Sequence, residues 1–157
     1  MKTILTTFFF SLFLFPCVGQ NLVKSEKFKI SFETSDKLPV YDTGSENVLG
    51  YENDDYAVDI EMVPYDEESE DFLNDVKYGA REIAEDMAFK VIKDGGKIAN
   101  IDKAYYVITY DDNELKIPVF VIAILNDSSK TAYEITVYCY NSNLVEGEKI
   151  TKSFKIW

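Results

Sequence analysis

From residue 104 to residue 140 the chain alternates apolar stretches with turns too short to hold a crossover, and this constrains the fold more than any other feature. The stretches 104–110, 115–125 and 132–140 are separated by the turn Asp111-Asp112-Asn113 and by the polar segment 126–130. Strands joined by hairpin-length turns run antiparallel, because a parallel neighbour needs a crossover of a dozen or more residues. The middle stretch is apolar on both faces, which predicts an interior strand. Pro118 cannot donate to a ladder and marks a bulge or a strand start. In 132–140, Tyr133, Ile135, Val137 and Cys139 alternate onto one face.

Period two also governs the first third of the chain. Phe28, Ile30 and Phe32 alternate within 27–32. Residues 33–45 are rich in turn formers and contain Pro39 and Gly44, 47–51 reads as a short strand, and 53–55 as a turn. Residues 56–63 then put Tyr56, Val58, Ile60 and Met62 on one face and Asp59 and Glu61 on the other. The period changes after the acidic run 66–71. Phe72, Val76, Ala80, Ile83, Met87 and Val91 follow at spacings of three and four, which predicts a long amphipathic helix with Ser69 as its cap and Gly95-Gly96 as its stop. This helix is expected on the sheet face carrying Tyr133, Ile135, Val137 and Cys139. A short strand at 97–101 and a closing helix over 144–154, anchored by Leu144, Ile150 and Phe154, complete an order β-β-β-α-β-β-β-β-α. The fold class is α+β, with an antiparallel sheet of six or seven strands packed by one long and one short helix.

The second half reads I-x-x-I-x-K-A-Y-Y-V from Ile98 to Val107, K-T-A-Y-E-I-T-V from Lys130 to Val137, and K-S-F-K-I from Lys152 to Ile156, and F-K-I-S-F from Phe28 to Phe32 opens the sheet. This pattern resembles the Mog1/PsbP-like superfamily, in particular its small exported bacterial members of unknown function. The resemblance implies an α/β/α sandwich around an antiparallel sheet and implies no chemistry. Relatives serve as photosystem assembly subunits or bind a small GTPase, and no residue pattern in this chain transfers either role.

Residues 1–19 read as a secretory signal, with Lys2 as the one charge and an apolar run over 4–16 that is too short for a membrane span. Cleavage is expected before Gln20, leaving 20–157 as one α+β domain in the periplasm or the medium. The alternative is a lipoprotein anchored at Cys17, disfavoured by Phe15 and Pro16 ahead of it. No later segment is long and apolar enough to span; 117–125 is strand-length. Loss of the leader leaves Cys139 as the one cysteine, which excludes an intrachain disulfide.

The chain has 28 acidic against 16 basic residues, a net charge of −12. Such a surface repels nucleic acid and favours a cationic or peptide-like protein partner. The sequence indicates no oligomeric state. Histidine is absent altogether, which removes the commonest general base near neutral pH. Asp42-Thr43-Gly44-Ser45 spells an aspartic-protease signature, but that chemistry needs a second carboxylate and no second copy exists, so a surface turn is expected. The acidic run 66–71 lacks the alternation and the glycine of an EF-hand, and reads as solvated carboxylates at a helix N-terminus. Cys139 has no base beside it and reads as a buried core thiol. Tyr105, Tyr106, Tyr110, Tyr133, Tyr138 and Tyr140 lie on neighbouring strands, either as core pairs or, for Tyr105, Tyr138 and Tyr140, as part of an exposed aromatic platform. Asn126-Asp127-Ser128 matches a glycosylation sequon. No catalytic, cofactor-binding or metal-binding residue is assigned and no cofactor is expected. The leading functional expectation is an exported, non-enzymatic binding or assembly module. The alternative is a carboxylate-only hydrolase such as a glycosidase, using Asp59 and Glu61 with Asp111 or Glu134.

Overall fold

The computed structural model describes residues 20–65, 72–111 and 116–157. Among them run β1 Asn21–Ser25, β2 Ile30–Thr34, β3 Val40–Tyr41, β4 Val48–Glu52, β5 Tyr56–Pro64, α1 Phe72–Asp86, β6 Lys90–Lys97, β7 Ala104–Tyr110, β8 Pro118–Asn126, β9 Thr131–Cys139, α2 Leu144–Ser153 and β10 Lys155–Ile156. The leader 1–19 with Cys17, the acidic run 66–71 with its cap Ser69, and Asp112, Asn113 and Leu115 lie outside the described residues, as does the side chain of Phe72.

One sheet has the order β3-β4-β5-β9-β8-β7-β6 and a second has the order β1-β2-β10; every pairing is antiparallel. The three stretches joined by short turns become β7, β8 and β9, adjacent in space as hairpins require. Pro118 opens β8, where its missing N–H costs nothing. β5 pairs with β9 along its whole length, from Tyr56↔Cys139 to Pro64↔Thr131, and this long-range pairing joins the two halves of the chain.

The large sheet is apolar on one face throughout and on the other over β7 and β8. One face, carrying Tyr133, Ile135, Val137 and Cys139 from β9 with Phe120 and Ile122 from β8, packs against Phe28, Ile30 and Phe32 and against Ile150 and Phe154. The Tyr133 hydroxyl donates to the Phe28 carbonyl at 2.9 Å, so the one polar atom on that buried ring is satisfied at the layer boundary. The opposite face, built from Val107, Val119, Val121 and Ala123, receives Val76, Ala80, Ile83 and Ala84 of α1. The long helix therefore lies on the face opposite to the one expected. β8 is apolar on both sides, and the face carrying Tyr133 is already taken by the small sheet and α2.

α1 also ends earlier than its periodicity suggests. Ala88 takes φ +58°, Ala88 N–H bonds the Glu85 carbonyl at 2.9 Å, and Phe89 N–H bonds the Ala84 carbonyl at 2.8 Å. These two bonds make a Schellman stop. Val91 then belongs to β6, and Gly95 and Gly96 lie inside that strand, not at a helix end. The strand breaks register at Ile92 and Gly95, where bulges blunt an edge. A Cβ on Gly95 would fall 1.9 Å from the Tyr106 ring, which is why only glycine fits there. The short strand expected at 97–101 is a turn that buries Ile98 and Ile101. Met87 and Leu144 are exposed, so neither anchors its helix. β1, β3 and β10 were not legible as strands, because they are short and supported by their partners' ladders.

Candidate functional site

α1 covers only half of its sheet face. It packs on β6, β7 and β8. On the β6 side, Lys77 and Arg81 reach Asp94 at 3.7 and 2.8 Å. Past β8, no described helix lies over β9, β5, β4 and β3. Pairing register decides which side chains stand on this open half, since directly opposed residues share a face.

The first row runs Tyr41↔Gly50↔Asp59↔Thr136 across β3, β4, β5 and β9. Tyr41 lays its ring over Gly50, whose absent Cβ would meet that ring at 2.3 Å, and its hydroxyl donates to the Asp59 carboxylate. The next row runs Glu52↔Ala57↔Tyr138. Tyr140, just beyond β9, donates to Glu52 Oε1 at 2.9 Å and stacks on Tyr138 with ring centroids 6.4 Å apart. Phe89 meets the Tyr138 ring edge-on at 6.1 Å. Toward the other end, Val48↔Glu61↔Glu134 puts two carboxylates directly opposite one another. Glu134 also borders a groove of about 160 Å³ between α1 and β8–β9, to which α1 contributes Asp75, Glu82 and Asp86.

Burial raises the Asp59 carboxyl above its ordinary range; the Tyr41 hydrogen bond pulls it back and the nearby Glu52 pushes it further up. Glu134 is raised first by burial and then by the charges of Glu61, Asp86 and Glu82. The phenols of Tyr41 and Tyr140 are raised by burial and by their bonded carboxylates, which favour the protonated donor. Among the described residues, Glu52, Asp59, Glu61, Glu82, Asp86 and Glu134 enter no ion pair with a lysine or arginine. The face is thus a set of uncompensated carboxylates interleaved with aromatic rings. Among the described residues, no group of three or more acidic or cysteine side chains is arranged to hold a metal ion.

Of the candidates read from the sequence, Asp59, Glu61 and Glu134 come together on this face, and Asp111 lies near enough to Tyr138 to raise its phenol. Tyr138 and Tyr140 stand on the open half. Tyr105 is buried under α1, Tyr106 and Tyr133 fill the opposite core, and Tyr110 is half-buried. Cys139 is fully buried and its thiol is pushed up to about 12. Asp42 accepts from the Gly44 N–H at 2.9 Å, with Gly44 at φ +72°, so the protease-like tetrapeptide is a turn. Asn126 is buried and its side-chain oxygen accepts from Ser128 N–H at 3.1 Å, so the sequon is folded into the β8–β9 turn. Tyr41, Glu52 and Phe89 were not singled out from the sequence. A glycine in the middle of a strand, Gly50, was the signal that a ring crosses there.

No protein-family model matches the sequence, and no curated protein matches it. Among solved structures, the crystal structure of the Saccharomyces cerevisiae Ran-binding protein Mog1p matches with a TM-score of 0.62 at 8% identity, over 88% of this chain and 95% of that one. A structure of a point mutant of protein Mog1 matches with the same TM-score and identity, over 88% of this chain and 96% of that one. The fold is that of Mog1p. At this identity the likeness speaks to the fold alone.

Proposed function

We propose that the chain is a non-catalytic binding module that recognises a basic protein segment on the sheet half left open by α1. One observation carries the reading: the carboxylates there have no cationic partner among the described residues, while Asp59 and Glu134 are destabilised as anions by burial and by neighbouring carboxylates, Glu52 for the first and Glu61, Asp86 and Glu82 for the second. A bound cation relieves that cost, and the aromatic rings supply contact area. A protein ligand is also in keeping with the Mog1p neighbour, described as Ran-binding. The test is titration of the purified protein with poly-lysine at low and high salt. Binding should weaken as salt rises, since charges beyond about 8 Å are screened at physiological ionic strength. The double charge reversal Glu61→Lys/Glu134→Lys should weaken it further. Salt-independent binding, or none, would overturn the reading.

The export of this module belongs to the same proposal and rests on the apolar leader 1–19. Mass spectrometry of the mature protein should find Gln20 at the N-terminus, and a lipidated Cys17 would place the module on a membrane surface instead.

A second reading is a carboxylate-only glycosidase. It is favoured by the diagonal relation of Asp59 and Glu134 across β5 and β9, which puts two carboxyls raised by burial on one sheet face. Against it, Asp59 is held by Tyr41 and the pair lies on an open sheet. Glycan turnover abolished by Asp59→Asn or Glu134→Gln, with folding retained, would establish this reading in place of the first.

A further inference from the structure

We infer that Tyr41, Glu52, Asp59, Tyr138 and Tyr140 form a seat for a guanidinium group, so that the basic segment presents an arginine at this end of the face. The inference rests on the basic-segment reading and sharpens it.

Glu52 and Asp59 are diagonal neighbours on β4 and β5, about 7–8 Å apart. Each spends one oxygen on a phenol, Glu52 on Tyr140 and Asp59 on Tyr41. The second oxygen of each takes no bond from a described residue. The phenols therefore orient the two carboxylates without neutralising them, and they do so at fixed positions on a sheet. Beside them stand the stacked rings of Tyr138 and Tyr140, inclined by only 26°, with Tyr140 39% exposed. Elsewhere the chain brings its own cations to aromatic rings, Lys24 to Trp157 at 4.7 Å and Lys77 to Tyr105 at 5.9 Å. Among the described residues none is brought to Tyr138 or Tyr140.

A planar cation fits both features at once. Guanidinium stacks on an aromatic face and offers a fork of N–H donors to carboxylates, whereas an ammonium is a compact, strongly hydrated point charge. The Glu61–Glu134 end of the same face has the charge without the rings, so it should accept either cation equally. The seat thus predicts selectivity, which the charge of the face alone does not.

The experiment compares hexa-arginine with hexa-lysine on the full chain, by titration calorimetry and by NMR of the tyrosine ring resonances. Hexa-arginine should bind roughly fivefold more tightly or better and should shift the rings of Tyr138 and Tyr140. Tyr140→Leu, checked for intact folding by thermal unfolding, should bring hexa-arginine down to the affinity of hexa-lysine, and Glu52→Gln should weaken hexa-arginine more than hexa-lysine. Equal affinity for the two peptides in the unaltered protein, or a preference that survives Tyr140→Leu, would refute the seat and leave the basic-segment reading standing. Failure of both peptides to bind would remove that reading and the seat with it.

Discussion

A Cβ built on Gly147 of α2 would lie 2.4 Å from Cys139 Sγ, so the last helix rests on the sheet with backbone against sulfur. The same Cβ would also reach the Phe120 ring at 2.5 Å. Gly147→Ala should therefore lift α2 and destabilise the fold by about 1–3 kcal/mol, the usual cost of overpacking. Combining it with Cys139→Ala should recover part of this loss, read by chemical denaturation as a double-mutant cycle. Additive effects would show that α2 does not bear on the thiol.

Cys139 itself should be inert in the native state. It is fully buried, and its thiol is pushed up to about 12 by burial. A thiol reagent at pH 8 should label it at the rate of unfolding and rapidly once denaturant is added. Fast labelling of the folded protein would mean that this strand face is open.

α1 is held by the face carrying Val107, Val121 and Ala123, and Val76 is 1% exposed within that contact. Val76→Asp buries an unpaired carboxylate and should cost about 3 kcal/mol or more. The milder Val76→Ala should shift the methyl resonances of Val107 and Val121 and leave those of Ile135 and Val137 in place. The reverse pattern would put the helix on the other side.

The stop of α1 uses an alanine in the left-handed region, at φ +58° and exposed to solvent. A left-handed residue with a Cβ costs about 1–2 kcal/mol that glycine does not. Set against glycine's greater unfolded-state entropy, Ala88→Gly should stabilise by about 0.5–1 kcal/mol in thermal or urea unfolding. Loss of stability would show that the Schellman bonds do not form.

Glu134 gives a pH dependence with a defined sign. Its carboxyl is raised in the folded protein, by burial and by Glu61, Asp86 and Glu82, so the native state holds that proton more tightly than the unfolded chain. Stability from this group is complete below the unfolded carboxylate value of 4.5 and is lost as pH rises through the raised folded value. Glu134→Gln should consequently be more stable than the unaltered protein at pH 7, by a few tenths to about 1 kcal/mol, as for other like-charged cross-strand pairs. The difference should vanish near pH 4. A variant less stable at pH 7 would reveal a favourable partner for the carboxylate.

Strand periodicity and short turns determined β7, β8 and β9, their antiparallel order and the face shared by Tyr133, Ile135, Val137 and Cys139, since all of these follow from local alternation; of the two readings of Pro118, a bulge or a strand start, the structure took the second. The alternation of β5 likewise put Asp59 and Glu61 together, because period two is a property of the strand alone. The end of α1 was misread because a helical stripe that runs on through Met87 and Val91 carries no trace of the left-handed Ala88 that stops it. Only tertiary structure decided that β5 pairs with β9, which opposes Glu61 to Glu134. The same pairing sets Ala57 against Tyr138, beside Glu52. Tertiary structure alone also decided which apolar face of β8 each helix takes. A strand apolar on both sides does not distinguish its faces, and ladder register between strands some 75 residues apart in sequence is written in neither one. The open half of the sheet is a consequence of that choice: with α1 set over β6–β8, no helix among the described residues covers the carboxylates and rings of β3, β4, β5 and β9.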